Sequence, residues 1–114
     1  MVGSQVSDFK QSWETLGDAN QVTETFQLSM KSLADAVTTI IDYLGMQPCE
    51  RTGPSFVAPD KTTHILLLSG NFLGNIHTLV RCRLAFNSST GVAMEITVRS
   101  TEQEISQMIA STIG

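Results

Sequence analysis

The stretches TLVRCRLAFN (Thr78 to Asn87) and VAMEITVRS (Val92 to Ser100) decide the fold class. In the first, Val80, Cys82, Leu84 and Phe86 alternate with Arg81 and Arg83. In the second, Val92, Met94, Ile96 and Val98 alternate with Glu95, Thr97 and Arg99. Successive side chains on a strand point to opposite faces, so each stretch divides into an apolar side and a charged side. This is the pattern of a half-covered antiparallel sheet. The apolar side calls for helices, and the charged side is left for another use.

The intervening Asn87-Ser88-Ser89, running to Gly91, reads as a polar hairpin turn. Further strands follow from the same periodicity. Thr23 to Met30 sets Phe26, Leu28 and Met30 against Thr25, Gln27 and Ser29. His64 to Phe72 is apolar on both sides, through Ile65 and Leu67 and through Leu66 and Leu68, and is expected to be a central strand buried on both faces. Gly74-Asn75 turns it into the arginine-bearing strand.

Three helices complete the pattern. Val6, Phe9, Trp13 and Leu16 share helical spacing, predicting a short helix over Ser7 to Leu16 with a stop at Gly17. Ser32 caps a second helix, whose stripe of Leu33, Ala36, Val37, Ile40, Ile41 and Leu44 is ended by Gly45 and Pro48. Thr101-x-x-Glu104 is a capping-box signature for a third helix, with Ile105, Met108 and Ile109 expected inward. Gln47 to Asp60, with three prolines, reads as an irregular connection. The expected order is α-β-α-β-β-β-α, an α+β domain with an antiparallel sheet of about four strands.

With 114 residues and 41% hydrophobic content the chain closes one core. Residues 1–4 are expected to be a leader and 5–114 the domain. No apolar run is long enough to span a bilayer, and the start lacks the basic and apolar regions of a secretory signal, so a cytosolic location is expected. Cys49 and Cys82 form neither a disulfide framework nor a metal knuckle. His64 and His77 make no ligand spacing with them, and no nucleophile elbow or phosphate loop stands at a strand end. An enzyme, a metal and a cofactor are therefore not expected. The net charge of -4 argues against nucleic-acid binding. Its distribution is uneven, because Arg81, Arg83 and Arg99, three of the four arginines, share one sheet face.

Several runs resemble the C-terminal appendage, or ear, of the coatomer (COPI) gamma subunit. They are Asp8 to Trp13, Tyr43 to Glu50, Thr63 to Gly70, and Ile96 to Ser100 with Ala110 to Gly114. The resemblance implies the platform subdomain of that appendage, similar in fold to the clathrin adaptor alpha-subunit platform and TBP-like. It also implies a peripheral place on Golgi and COPI-vesicle membranes, with indirect membrane association. The partners implied are Arf GTPase-activating proteins and other coat accessory proteins, besides the other coatomer subunits. By the same resemblance Trp13 matches the floor of a partner-binding pocket, with Phe9 one turn before it and Arg83 and Arg99 flanking it. Glu95 stands where the alpha adaptor has an arginine, which favours a coatomer ear over a clathrin ear.

The residues themselves point the same way. A helix laid over the polar sheet face is expected to leave Trp13 beside Arg83 and Arg99. Tryptophan and arginine are enriched at interface hot spots, and arginine grips carboxylates bidentately. The competing readings are that Trp13 is simply packed, and that Arg81 and Arg83 pair with Glu95 across strands. Two function classes follow: a coat-type module binding short aromatic and acidic motifs, as in clathrin-adaptor platforms, or an architectural domain whose polar face docks on a neighbour.

Overall fold

The computed structural model describes residues 2–49, 57 and 62–113. The elements in chain order are α1 (Val2–Leu16), β1 (Val22–Leu28), α2 (Leu33–Leu44), β2 (Gln47–Pro48), β3 (Thr63–Phe72), β4 (Ile76–Asn87), β5 (Gly91–Ser100) and α3 (Gln103–Ser111). The strands form one antiparallel sheet in the order β1-β5-β4-β3-β2. The expected α+β class holds, with five strands in place of about four. The added strand is the two-residue β2, at the start of the segment read as an irregular connection; most of that segment lies outside the described residues.

Every paired position joins an even-numbered residue to an even one and an odd to an odd. The even face is therefore continuous: Leu66, Leu68, Val80, Cys82, Leu84, Val92, Met94, Ile96 and Val98 are all buried in the main core. Its cover is α2 and α3. Helix α2 contributes Leu33, Ala36, Val37, Ile40 and Leu44, the stripe expected from its spacing. The Ser32 side chain accepts from the Asp35 N–H at 3.1 Å. Gly45, at φ 63°, enters the left-handed region and donates its N–H to the Ile41 carbonyl. Both ends are thus terminated by groups that satisfy orphan helix bonds.

Three local readings need correction. The capping box at Thr101 does not form: Glu102 is the N-cap residue and makes no side-chain cap bond. The Ser100 hydroxyl, buried at the end of β5, instead bonds the Glu102 carbonyl at 2.6 Å and Ser106 Oγ at 2.8 Å. This tight polar knot sets the helix entry. Met108, expected inward, is 48% exposed, and Ser106 and Ala110 take the inner positions beside Ile105 and Ile109. Helix α1 starts at Val2, earlier than Ser7, so Val2 to Ser4 are helical.

Strand β3 is not buried on both faces along its length. Leu66 and Leu68 are buried, whereas Ile65 on the odd face is 53% exposed. The reason is the position of α1, which touches β3 and β5 and covers only part of the odd face. At the sheet edge, exposed Glu24 occupies an even position opposite Ile96. A charge pointing to the core side of an edge strand discourages pairing with another chain.

Candidate functional site

The odd face is ordered in rows by the strand register. One row runs Ser69, Leu79, Arg99; the next Leu67, Arg81, Thr97, Thr23; the next Ile65, Arg83, Glu95, Thr25; and a fourth Thr63, Ala85, Ala93, Gln27. The three-residue turn Ser88 to Thr90 sets this register, with Asn87 opposite Gly91. Within it the Ser89 N–H donates to Asn87 Oδ1 at 2.8 Å. A β-carbon on Gly91, which sits at φ 93°, would meet the Leu28 carbonyl of β1. Glycine therefore lets β1 approach the hairpin closely.

Helix α1 lies over the first two rows. Phe9 and Trp13 stack with ring centroids 5.6 Å apart and planes 20° apart. Together with Cys49 and Leu79, and with Leu16 and Leu67 at the margin, they form a second, smaller core. Trp13 is 8% exposed. Two arginines bracket its ring: the Arg99 guanidinium carbon lies 4.4 Å from the centroid and that of Arg81 5.0 Å. Arg99 is also held by hydrogen bonds, its Nε donating to Gln21 Oε1 and its Nη1 to the Trp13 carbonyl, both at 2.8 Å.

Arg81 is in a different state. Its Nε is buried and has no hydrogen-bond partner among the described residues. Desolvation, followed by repulsion from Arg83 and Arg99, lowers its pKa from the ordinary arginine value, and Glu95 partly opposes this. Burial pushes the Cys82 thiol up to about 12 and raises that of Cys49. Neither is placed for nucleophilic work, because the thiolate is the reactive form. Among the described residues no group of three His, Cys, Asp or Glu side chains gathers to hold a metal.

Of the four residues singled out by the sequence, Phe9, Trp13 and Arg99 come together. Arg83 does not join them. It lies exposed one row further along, directly opposite Glu95, and it is Arg81 that flanks the indole with Arg99. The cause is the register: Arg81 faces Thr97, which makes it a diagonal neighbour of Arg99, while Arg83 is a row too far from α1. Sequence reasoning also missed Gln21. Arg81 was recoverable from the turn length, which fixes which arginines share adjoining rows. Around this cluster the surface is grooved. A cleft of about 330 Å³ runs beside α1 between Asp8, Phe9, Pro48, Ser69, His77 and Leu79. A shallower one of about 580 Å³ lies along Arg83, Ala85, Ala93, Glu95, Thr25 and Gln27.

Residues 1–113 match the family described as the coatomer subunit gamma-1 C-terminal appendage platform. The chain is 44% identical over 108 residues to coatomer subunit gamma-2 of Takifugu rubripes, covering 94% of this chain and 12% of that protein. The same figures hold for coatomer subunit gamma-2 of Homo sapiens: 44% over 108 residues, 94% of this chain and 12% of that protein. Coatomer subunit gamma of Arabidopsis thaliana is 34% identical over 110 residues, covering 96% of this chain and 12% of that protein. The chain thus spans about 12% of the length of these curated relatives. An α+β sheet domain matched along its length in this way belongs to the coatomer gamma C-terminal appendage platform family.

Proposed function

We propose that this domain is a protein-interaction module of the COPI vesicle coat, recruiting accessory and regulatory proteins such as Arf GTPase-activating proteins through the face built by Phe9, Trp13, Arg83 and Arg99. It acts in Golgi-to-endoplasmic-reticulum and intra-Golgi transport, at the cytosolic side of Golgi and vesicle membranes. Its membrane association is indirect, through the coat. No helix among the described residues is long and apolar enough to cross a bilayer. The other coatomer subunits are partners of the longer chain that carries this domain.

The observation that carries this reading is the bracketed indole. Arg81 and Arg99 on the Trp13 ring, with exposed Arg83 a row away, concentrate cations on one face of a protein of net charge -4. Such a surface selects an acidic segment electrostatically. Grooves on both sides of the cluster offer room for its aromatic anchor. The reading also makes the domain a binder and not a catalyst. Affinity capture from cytosol tests it: wild-type domain retains Arf GTPase-activating protein, and Arg83→Glu retains markedly less. Equal retention by the two would remove Arg83 from the site.

A second reading is favoured by the low exposure of Trp13, which is 8%. An indole that is already buried serves packing, and the odd face then docks permanently on a neighbouring domain of the longer chain. Saturable binding of a free acidic segment to the isolated domain separates the two.

A further inference from the structure

We propose that the cleft on the side of α1 away from Arg83 is a second peptide site of this domain, which takes one apolar side chain of a partner polypeptide together with a flanking lysine or arginine. This site differs from the recruiting face: it selects the opposite charge, and none of Trp13, Arg83 and Arg99 lines it.

The strand register sets this cleft apart from the arginines. Helix α1 packs over the rows of Leu79 and Leu67, with the Arg83 row on one side of it; on the other side the odd face continues to the pair Asn71 and His77. There α1, β2 and the β3–β4 hairpin bound a space of about 330 Å³. Phe9, Leu79 and Pro48 give it apolar lining, and Ser69 and His77 give it polar groups. Pockets that hold small ligands run from about 300 to 1,000 Å³, so this one has room for a side chain and not for a large organic cofactor. Strand β2 is the edge of the sheet, and Pro48 has no N–H to pair with a further strand. A partner is therefore received through a side chain and not as an added strand.

Charge defines the rest of the occupant. The hairpin that forms one wall carries no Asp, Glu, Lys or Arg from Thr62 to Val80, the depletion of charge found at the centre of interfaces. The one charged group among the described lining residues is Asp8, exposed on α1. Its neighbours one helical turn on, Gln11 and Ser12, offer no cation, and Asp8 makes no ion pair among the described residues. An unbalanced carboxylate beside an apolar cleft favours a cation next to the apolar group of the partner. His77 adds a directional contact: its Nδ1 donates to Asn71 Oδ1 at 3.3 Å, which in the neutral ring leaves Nε2 as an acceptor for a partner amide.

The probes are tripeptides blocked at both ends, Gly-Phe-Lys, Gly-Phe-Glu and Gly-Gly-Lys, titrated into isotope-labelled protein at constant ionic strength while backbone amide resonances are followed. Gly-Phe-Lys is expected to shift Ser12, Gln47, Ser69 and His77 saturably. Gly-Gly-Lys, which lacks the apolar side chain, is expected to bind at least about tenfold more weakly. Gly-Phe-Glu is expected to bind a few-fold more weakly, the effect of a single exposed charge pair. Asp8→Lys, a change at an exposed position, is expected to reverse the preference between the Lys and Glu peptides, and Lys31→Gln to leave it as in wild type. The proposal is overturned if Gly-Gly-Lys or Gly-Phe-Glu binds as well as Gly-Phe-Lys, comparisons that need no variant to fold. Shifts centred on Arg83 and Glu95 would overturn it as well, by placing the peptide on the recruiting face. Binding in the cleft without retention of any coat accessory protein would leave this site standing and remove the recruiting function. Retention without binding in the cleft does the reverse.

Discussion

Arg99 fastens helix α1 to the sheet through Trp13 in two ways at once: its Nη1 donates to the Trp13 carbonyl at 2.8 Å, and its guanidinium carbon sits 4.4 Å from the centre of the Trp13 ring. One side chain on β5 therefore holds both the backbone and the indole of a residue 86 positions away. The odd face of the sheet, the smaller core and the proposed site depend on this clasp.

Replacing Arg99 by Met should accordingly loosen α1 without unfolding the sheet. The loss combines a charged hydrogen bond and a cation–π contact, together about 2 kcal/mol. Chemical denaturation followed by Trp13 emission should then begin earlier than denaturation followed by far-ultraviolet dichroism. Coincident, unshifted curves would show that Arg99 is dispensable to the clasp.

Trp13→Ser is costlier than an interface residue would be. The indole is 8% exposed and packs with Phe9, Cys49 and Leu79, so its removal leaves a cavity in the smaller core. Large aromatic truncations cost about 3 to 5 kcal/mol, and α1 is expected to detach while the main core stays folded. Hydrogen exchange should show lost protection across residues 9–16 and retained protection in β4 and β5. Wild-type protection in α1 would mean that the aromatic stack does not hold it.

The main core is less forgiving. Ile40 is fully buried beneath the sheet, and Ile40→Asp sets an unpaired charge among Val37, Leu66 and Ile96. Burial of such a charge exceeds the stability of a small domain. Absence of any cooperative thermal transition is expected; a melt resembling wild type would refute the packing of α2 on the even face.

Cys82 gives the domain an alkaline limit. Its thiol is raised by burial from 9.0 to about 12. Below the unfolded value both states are protonated and stability is unaffected. Above it the unfolded chain ionises first, so stability falls between pH 9.0 and about 12, by up to about 1.4 kcal/mol per pH unit. Cys82→Val removes this contribution. Stability profiles of wild type and variant should run parallel below pH 9.0 and diverge above it, with wild type falling more steeply; parallel profiles throughout would show that the thiol is hydrated in the folded state.

Much of the fold could be read from the chain because its signals are local. Alternation in β4 and β5 needs no partner to be visible, and the stripe of α2 with Ser32 and Gly45 at its ends is equally self-contained. The failures concern what tertiary contact decides. Met108 keeps helical spacing with Ile105 but looks outward, because the buried Ser100 and Ser106 pair turns the helix by its entry. Ile65 matches Leu66 in composition, yet α1 stops short of its row. The grouping of Phe9, Trp13 and Arg99 around one indole is legible from resemblance and spacing. The substitution of Arg81 for Arg83 at the indole depends on hairpin register, which shifts whole rows while leaving every alternation intact.

The partner-binding role of this face is tested most directly by calorimetric titration of an acidic Arf GTPase-activating protein segment into the wild type and into Arg83→Glu, Arg99→Glu and Trp13→Ser, with circular dichroism recorded for each. Saturable binding by wild type is expected, falling with added salt, weakened by either charge reversal and lost in Trp13→Ser. Undiminished affinity in a folded Arg83→Glu variant would place the partner elsewhere on the domain.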